Sequence, residues 1–255
     1  MNIAIPNNLN SIFINAMMFM QGDSIPKQNG EGYIEVCKKS FSSIGEIYDY
    51  LDVPDSLTDY AYGEPGDDGK YTFPSPDPYD DRVKAAKPCT GLIGEQNSSW
   101  HTETLKEYAA MVTYNLVAAD VKPEMAAMLG VLHCCGMKYA AETIIEGSIS
   151  FPGYEYLSTY LTVCWIYDWG LAEEEKREII ATVYGHTKYY DWLKKTGGRN
   201  SEKNFIKEVT KVFGEDIALK AHELIKLLGA SEEGVKRGEK KNTEKIKKGE
   251  EIIKQ

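Results

Sequence analysis

Apolar positions recur with helical spacing along the second half of the chain, from Thr102 onward. In residues 102–119, Leu105, Tyr108, Ala109 and Val112 fall at the i, i+3, i+4 and i+7 positions that form one face of a helix. Glycine and proline turn signals separate this stretch from the later ones. The same spacing predicts further helices over residues 123–135, 153–169, 173–185, 201–212 and 214–228. We therefore predict an all-α fold, a bundle of about six helices.

The first 95 residues have a less regular pattern. Residues 12–20 are almost wholly apolar, which favours a buried helix, although the pattern also fits a strand. Residues 42–51 have the alternation of an amphipathic helix, with Ser42 as its N-cap. Residues 52–95 are rich in Pro, Gly, Asp and Tyr, which predicts a long loop with a short hairpin around residues 70–73.

These patterns divide the chain into three parts. Residues 1–95 form an irregular, loop-rich N-terminal extension, and residues 96–230 form the helical domain. Residues 231–255 are rich in Lys and Glu, and we expect a frayed helix or a disordered end there. A tail that docks onto a partner is the alternative.

Composition restricts the classes of function. The net charge of −10 argues against non-specific binding of nucleic acid, which depends on neutralisation of phosphates by Lys and Arg. The five cysteines have no CxxC spacing, which predicts free thiols in a reducing cytoplasm. The N-terminus does not have the pattern of a signal peptide, and no apolar run approaches the ~20 residues that span a bilayer. We expect a cytoplasmic protein that is not associated with a membrane.

Residues 132–136 carry the most informative motif, Leu-His-Cys-Cys-Gly. It resembles the Leu-His-Asp-Ile-Gly signature of the HD-domain phosphohydrolases, particularly the HD modules found beside tRNA-repair enzymes and in phage proteins. His133 is kept, whereas Cys134 stands where the family has its metal-binding Asp. The resemblance implies an HD-domain-like helical bundle over residues 96–230.

Three further segments follow the order of the HD family. Residues 96–108 resemble the opening segment, with Tyr108 in place of a metal-binding His. Residues 151–155 resemble the Tyr-Gly-His-Glu turn, with Tyr154 in place of the His. Residues 213–225 resemble the closing Gly-Glu-Asp and His-Glu-Ala-Asp pattern, with Ile225 in place of the last Asp. His186 resembles a His that the family places next to its metal ligands, and an aromatic cluster follows it.

These substitutions change the chemistry that the resemblance implies. The HD enzymes hold a divalent metal that activates water and polarises a phosphoryl oxygen. A phenol with a pKa near ~10 is a poor ligand for such an ion, and Ile225 cannot ligate one. Cys134 and His133 alone do not make a zinc site, since zinc normally has three or four protein ligands. We therefore predict neither a metal nor another cofactor, and we lean against catalysis without excluding it. As small buried hydrophobes, Cys134 and Cys135 have a purely structural explanation.

The loss of a metal does not remove the pocket that held it. Tyrosine hydroxyls, imidazoles and lysines offer hydrogen bonds to phosphate or ribose oxygens, and Tyr and Trp rings stack on bases. The alternative is that these side chains simply pack in the core. The predicted ligand-binding residues are Trp100, His101, Tyr108, His133, Lys138, Tyr154, His186, Lys188, Tyr189 and Trp192.

Three functions follow from these observations. The first is a catalytically inactive HD-like protein that binds and sequesters a nucleotide-derived signal, a cyclic nucleotide or a cyclic ADP-ribose isomer. The resemblance to phage proteins implies a phage anti-defence sponge in the cytoplasm of a bacterial host. The second is a divergent metal-dependent nucleotide phosphohydrolase. The third is a protein-interaction scaffold in which residues 1–95 bind a partner. Whether the chain forms a homo-oligomer stays open.

Overall fold

A computed structural model describes residues 40–51, 86–88, 103–138, 141–145, 148–150, 154–166, 168–195, 198, 200–235 and 242–255. Four sequence predictions lie wholly outside these residues. They are the apolar element at residues 12–20, the hairpin at residues 70–73, and the ligand-binding roles of Trp100 and His101. Of the predicted loop over residues 52–95, only residues 86–88 are described.

Helices make up most of the described residues, which confirms the all-α prediction. In this part of the chain there are nine α-helices and one short 3-10 helix, Cys135–Lys138. The α-helices are α1 (Ile44–Tyr50), α2 (Leu105–Ala118), α3 (Pro123–Leu132), α4 (Tyr154–Ile166), α5 (Glu173–Gly185), α6 (Lys188–Lys194), α7 (Ser201–Phe213), α8 (Glu215–Glu233) and α9 (Thr243–Ile253). Among the described residues, no helix is both long and apolar enough to cross a membrane.

Local capping explains where several helices begin. Helix α2 starts with a capping box, in which the Thr104 hydroxyl accepts from the Glu107 amide and the Glu107 carboxylate accepts from the Thr104 amide. Helix α3 starts at Pro123, whose ring suits the first helical position. Helix α1 is capped by Ser43, whereas the sequence predicted Ser42. Ser42 instead donates from its amide and its hydroxyl to the Glu46 carboxylate.

A small antiparallel sheet accompanies the helices, and the sequence analysis did not predict it. It has the order β1-β2-β3, with β1 at Ala86–Pro88, β2 at Ala141–Ile145 and β3 at Ser148–Ser150. Ala86 pairs with Thr143, which pairs in turn with Ser150. Strands of three to five residues are too short for a readable alternation, so only the β-branched composition of residues 143–149 could have indicated them.

The core forms where α2, α3, α5 and α8 meet. Helix α2 packs against α3, α8 and α9, and α8 also packs against α5 and α7. The fully buried leucines Leu105, Leu116, Leu129 and Leu132 supply much of the apolar surface between α2 and α3. Helix α1 joins the same core through Ile47, so part of the predicted N-terminal extension belongs to the helical unit.

The C-terminal residues differ from the sequence prediction of a frayed or disordered tail. Residues 243–253 form α9, which packs against α2, α3 and α1. Gly249 permits this close approach, because a Cβ atom there would lie 1.9 Å from the carbonyl oxygen of Ala110. Lys245 also donates to the side chain of Asn115 on α2. The Lys- and Glu-rich sequence does not predict a packed helix, because only one narrow face of α9 is apolar.

Candidate functional site

Four of the predicted ligand-binding side chains meet in the centre of the helical unit. Tyr108 comes from α2 and Tyr154 from the start of α4, while His133 and His186 follow the last turns of α3 and α5. The ring centroids of Tyr108 and His133 are 5.7 Å apart, those of His133 and His186 are 5.4 Å apart, and those of Tyr154 and His186 are 5.5 Å apart. With Glu232 they form what we call the central cluster.

Backbone carbonyls fix the orientation of both histidines. Nδ1 of His133 lies 2.8 Å from the carbonyl oxygen of Leu129, and Nδ1 of His186 lies 2.7 Å from that of Val183. A carbonyl oxygen only accepts, so in each neutral ring Nδ1 carries the hydrogen and Nε2 presents a lone pair. The Tyr154 hydroxyl therefore donates to Nε2 of His186, at 3.0 Å.

Glu232 is the member of the cluster that the sequence analysis missed. The Tyr108 hydroxyl donates to its Oε1 at 3.1 Å, and the same oxygen lies 3.5 Å from Nε2 of His133. The predicted helix ended at residue 228, whereas α8 continues to Glu233. The buried stripe of α8 runs through Ile225 and Leu228, and its spacing of three and four residues reaches Glu232 next. That stripe was the signal that could have identified it.

Burial keeps the central cluster uncharged near neutral pH. It lowers the pKa of His133 to about 3, with help from the nearby His186, and lowers the pKa of His186 to about 4. Burial also raises the pKa of Glu232 to about 8, although the Tyr108 hydrogen bond opposes this. The pKa values of the Tyr108 and Tyr154 phenols rise for the same reason, with the Glu232 carboxylate as the next cause.

Two polar atoms of the cluster are buried without a hydrogen-bond partner in the described structure. They are Nε2 of His133 and Oε2 of Glu232. Buried polar atoms are normally paired, and each unpaired one costs about 1–3 kcal/mol. The cluster therefore has unused hydrogen-bonding capacity that a water molecule or a ligand group would satisfy.

The thiols of the Leu-His-Cys-Cys-Gly motif point back to their own helix. The Cys134 thiol donates to the carbonyls of Gly130 and Val131, and the Cys135 thiol donates to that of Leu132. Burial raises the pKa of Cys135 to about 12, so it is not a thiolate at neutral pH. The chemistry of this segment therefore rests on His133.

Gly136 brings the turn after His133 against α4. Its amide donates to the Ser158 hydroxyl at 2.9 Å. A Cβ atom at Gly136 would lie 2.3 Å from the carbonyl oxygen of Tyr154. The glycine of the motif is thus required for the contact that sets Tyr154 beside His186.

The residues of the central cluster do not fit the metal that the HD resemblance implies. Across the described ranges, no three His, Cys, Asp or Glu side chains are arranged to hold a metal ion. Nε2 of His186 already accepts from Tyr154, and Ile225, at the expected place of an Asp, is packed next to Gly185 in the core. We therefore derive no chemical step through a metal.

The other predicted ligand-binding residues have their described contacts elsewhere. Lys138 is buried against α1, where its Nζ donates to the Leu51 carbonyl at 3.2 Å and lies 5.0 Å from the centre of the Tyr50 ring. Burial raises the pKa of the Glu155 carboxyl at the start of α4, and the positive charge of Lys188 opposes this rise.

The two predicted stacking rings on α6 pack against α7 and α8. Tyr189 packs on Gly229, where a Cβ atom would lie 2.3 Å from its ring. Trp192 contacts Phe205 and His222, with ring centroids 5.4 Å and 5.2 Å away. Both rings therefore hold helices together.

The chain matches no protein-family model. It matches neither a curated protein nor a solved structure. The resemblance to HD-domain phosphohydrolases consequently stays a prediction from the sequence motifs.

Proposed function

We propose that this protein is a non-catalytic, HD-like binding protein that sequesters a nucleotide-derived small molecule. A cyclic nucleotide or a cyclic ADP-ribose isomer is the ligand class, and the setting that the resemblance implies is a phage anti-defence sponge. The observation that carries the proposal is the convergence of Tyr108, His133, Tyr154 and His186 around two unpartnered polar atoms. These four positions are among those that the HD resemblance selected.

The chemistry of the cluster supports binding more than hydrolysis. Hydrolysis of a phosphoester needs a metal-bound or otherwise activated water and a charged site for the developing phosphorane. His133 and His186 are held neutral by burial, and Glu232 stays protonated up to about pH 8. A neutral, aromatic, hydrogen-bonding centre instead suits the polar edge of a bound ligand.

Isothermal titration of the full chain against cyclic mononucleotides, cyclic dinucleotides and cyclic ADP-ribose isomers tests the proposal. We expect saturable binding of one ligand class. Chromatography of the ligand released by heating should return it chemically unchanged, because the protein holds it without cutting it.

Two tyrosine variants provide a matched comparison. Tyr154→Phe removes the hydroxyl that contacts His186 and should weaken binding. Tyr114→Phe, a half-buried tyrosine on α2 beside Lys245 and Lys248, should bind normally. An absence of binding by every member of the panel to folded protein would contradict the proposal, and recovery of a cleaved ligand would favour the phosphohydrolase alternative.

A further inference from the structure

Apart from the carboxyl hydrogen of Glu232, the hydrogens available in the central cluster are already donated within it. Each histidine donates from Nδ1 to a backbone carbonyl, at His133 to Leu129 and at His186 to Val183. The Tyr108 hydroxyl donates to Oε1 of Glu232, and the Tyr154 hydroxyl donates to Nε2 of His186. What remains is a lone pair on Nε2 of His133 and the second carboxyl oxygen of Glu232.

A phosphate group does not match these two unpaired atoms. Phosphate oxygens are hydrogen-bond acceptors and carry negative charge at neutral pH. They would meet another acceptor at Nε2 of His133, and the neutral cluster supplies no positive charge to offset their desolvation. The sequence analysis left phosphate and ribose oxygens open as partners of these histidines, and the phosphate contacts are not favoured at this point of the site.

A hydroxyl group matches both unpaired atoms, because it can donate one hydrogen bond and accept another. Oε1 of Glu232 accepts from Tyr108, so the carboxyl proton is best placed on Oε2. We infer that the central cluster receives a hydroxyl of the ligand, which donates to Nε2 of His133 and accepts from Oε2 of Glu232. This inference rests on the proposed function and assigns the cluster to a sugar hydroxyl instead of a phosphate.

Tyr154 marks the side from which the ligand reaches the cluster. Tyr108, His133, His186 and Glu232 are buried, whereas Tyr154 keeps partial exposure to solvent. A ribose that enters beside the Tyr154 ring places its hydroxyl inward and leaves its phosphate and base outside the cluster. The base and the phosphate are then bound by residues nearer the surface.

Paired ribose and deoxyribose ligands test this inference on the full chain. The probes are adenosine, 2′-deoxyadenosine and 3′-deoxyadenosine, together with the deoxy form of any panel member that binds. We expect one deoxy analogue to bind about ten-fold or more weakly than its ribose parent. The missing hydroxyl would leave both Nε2 of His133 and Oε2 of Glu232 unpaired. Inorganic phosphate alone should not compete.

Nitrogen-15 spectra of the histidines give a second, independent readout. Binding of the ribose form should shift the Nε2 resonance of His133, and His222, which contacts Trp192 and Glu202 instead, serves as the internal control. His133→Phe should abolish the difference between ribose and deoxyribose ligands, provided that its melting curve shows a folded protein.

The outcomes separate this inference from the proposed function. Equal affinity for the ribose ligand and for every deoxy analogue would overturn the hydroxyl assignment and leave sequestration standing. Competition by inorganic phosphate at His133 would also overturn it. If no nucleoside or nucleotide binds and the His133 resonance never moves, both proposals fail.

Discussion

Nε2 of His133 lies 3.5 Å from Oε1 of Glu232, and both side chains are buried. In water, a carboxyl and an imidazole at this distance would form an ion pair near neutral pH. Here burial lowers the pKa of the imidazole to about 3 and raises that of the carboxyl to about 8, so both groups are neutral over the range between. The pair consequently links the stability of the fold to pH.

The first expected outcome is a stability maximum near pH 6.5. The folded chain keeps a proton on Glu232 that the unfolded chain releases above its ordinary pKa of 4.5, so this stabilisation is complete below pH 4.5 and is lost as the pH rises to about 8. The histidines act oppositely. Their pKa values of about 3 and about 4, against 6.5 unfolded, give a contribution that is present above pH 6.5 and is lost as the pH falls. Melting temperatures from pH 4 to pH 9 would measure both limbs.

The Glu232→Gln variant separates the contribution of Glu232 to the pH dependence of stability from that of the two histidines. Glutamine has nearly the same shape and never ionises, so the decline of stability from pH 6.5 to about 8 should flatten. The loss below pH 6.5 should remain, because His133 and His186 still resist protonation. A variant whose alkaline decline is as steep as that of the unmodified chain would contradict the assignment to Glu232.

A second expected outcome concerns Tyr108→Phe. The phenylalanine fills the same space but leaves Oε1 of Glu232 without the hydroxyl that donates to it at 3.1 Å. We expect a loss of about 1–2 kcal/mol in the free energy of unfolding, measured by urea denaturation at pH 7. Because that hydrogen bond lowers the pKa of Glu232, its removal should also move the alkaline limb to higher pH. Tyr114→Phe, outside the cluster, should change neither the free energy of unfolding nor the pH dependence. An equal change in this variant would contradict the role of the hydrogen bond between Tyr108 and Glu232.

The helices and the central cluster differ in how much of them the sequence could predict. Periodicity identified α5 with its bounds, Glu173–Gly185, because its acidic first turn and apolar stripe agree. The order of the HD-like motifs predicts that Tyr108, His133, Tyr154 and His186 belong to one site, and these four side chains meet in the central cluster. The order of motifs in a family relates residues that lie far apart in sequence. Apolar periodicity relates only neighbouring residues and could not have predicted this cluster.

What the sequence left out depends on contacts rather than on local pattern. Glu232 reads as a surface residue in a charged segment, and only the packing of α8 against α2 buries it. Helix α9 is hard to predict for a similar reason, since it packs on α2 at a glycine that approaches Ala110. The apolar spacing of α8 indicates which face Glu232 occupies but not that its carboxyl is buried, and a helix that docks through a glycine has no local signature.

A third expected outcome is that divalent metals leave the protein unaffected. In the residues that the structure describes, no three potential ligands are arranged around one point, and Nε2 of His186 is already engaged by Tyr154. Addition of Zn²⁺ or Mn²⁺ should not raise the melting temperature, whereas a ligand that binds only the folded state would raise it. The matching measurement is elemental analysis of protein purified without chelator. A stoichiometric transition metal that raises the melting temperature would restore the phosphohydrolase alternative.

A fourth expected outcome is that Gly249→Ala destabilises the fold, against the helix propensity of the two residues. In an isolated helix alanine is better than glycine by about 0.8–1 kcal/mol. In α9, however, the new Cβ would lie 1.9 Å from the Ala110 carbonyl oxygen and 2.5 Å from its carbon, and this backbone cannot yield as a side chain would. We expect a net loss of about 1–3 kcal/mol in the free energy of unfolding.

Gly45→Ala supplies a matched control for this test, because Gly45 also lies in a helix, α1, with its nearest atoms at the ordinary contact distances of 3.6 Å and more. It should be neutral or stabilising, as helix propensity predicts.

Helix α9 also donates from Lys245 to Asn115, whose amide donates to the Ser231 carbonyl next to Glu232. Displacement of α9 should therefore loosen the end of α8 and weaken ligand binding in Gly249→Ala but not in Gly45→Ala. Equal stability of the two variants would show that α9 does not dock on α2 through Gly249.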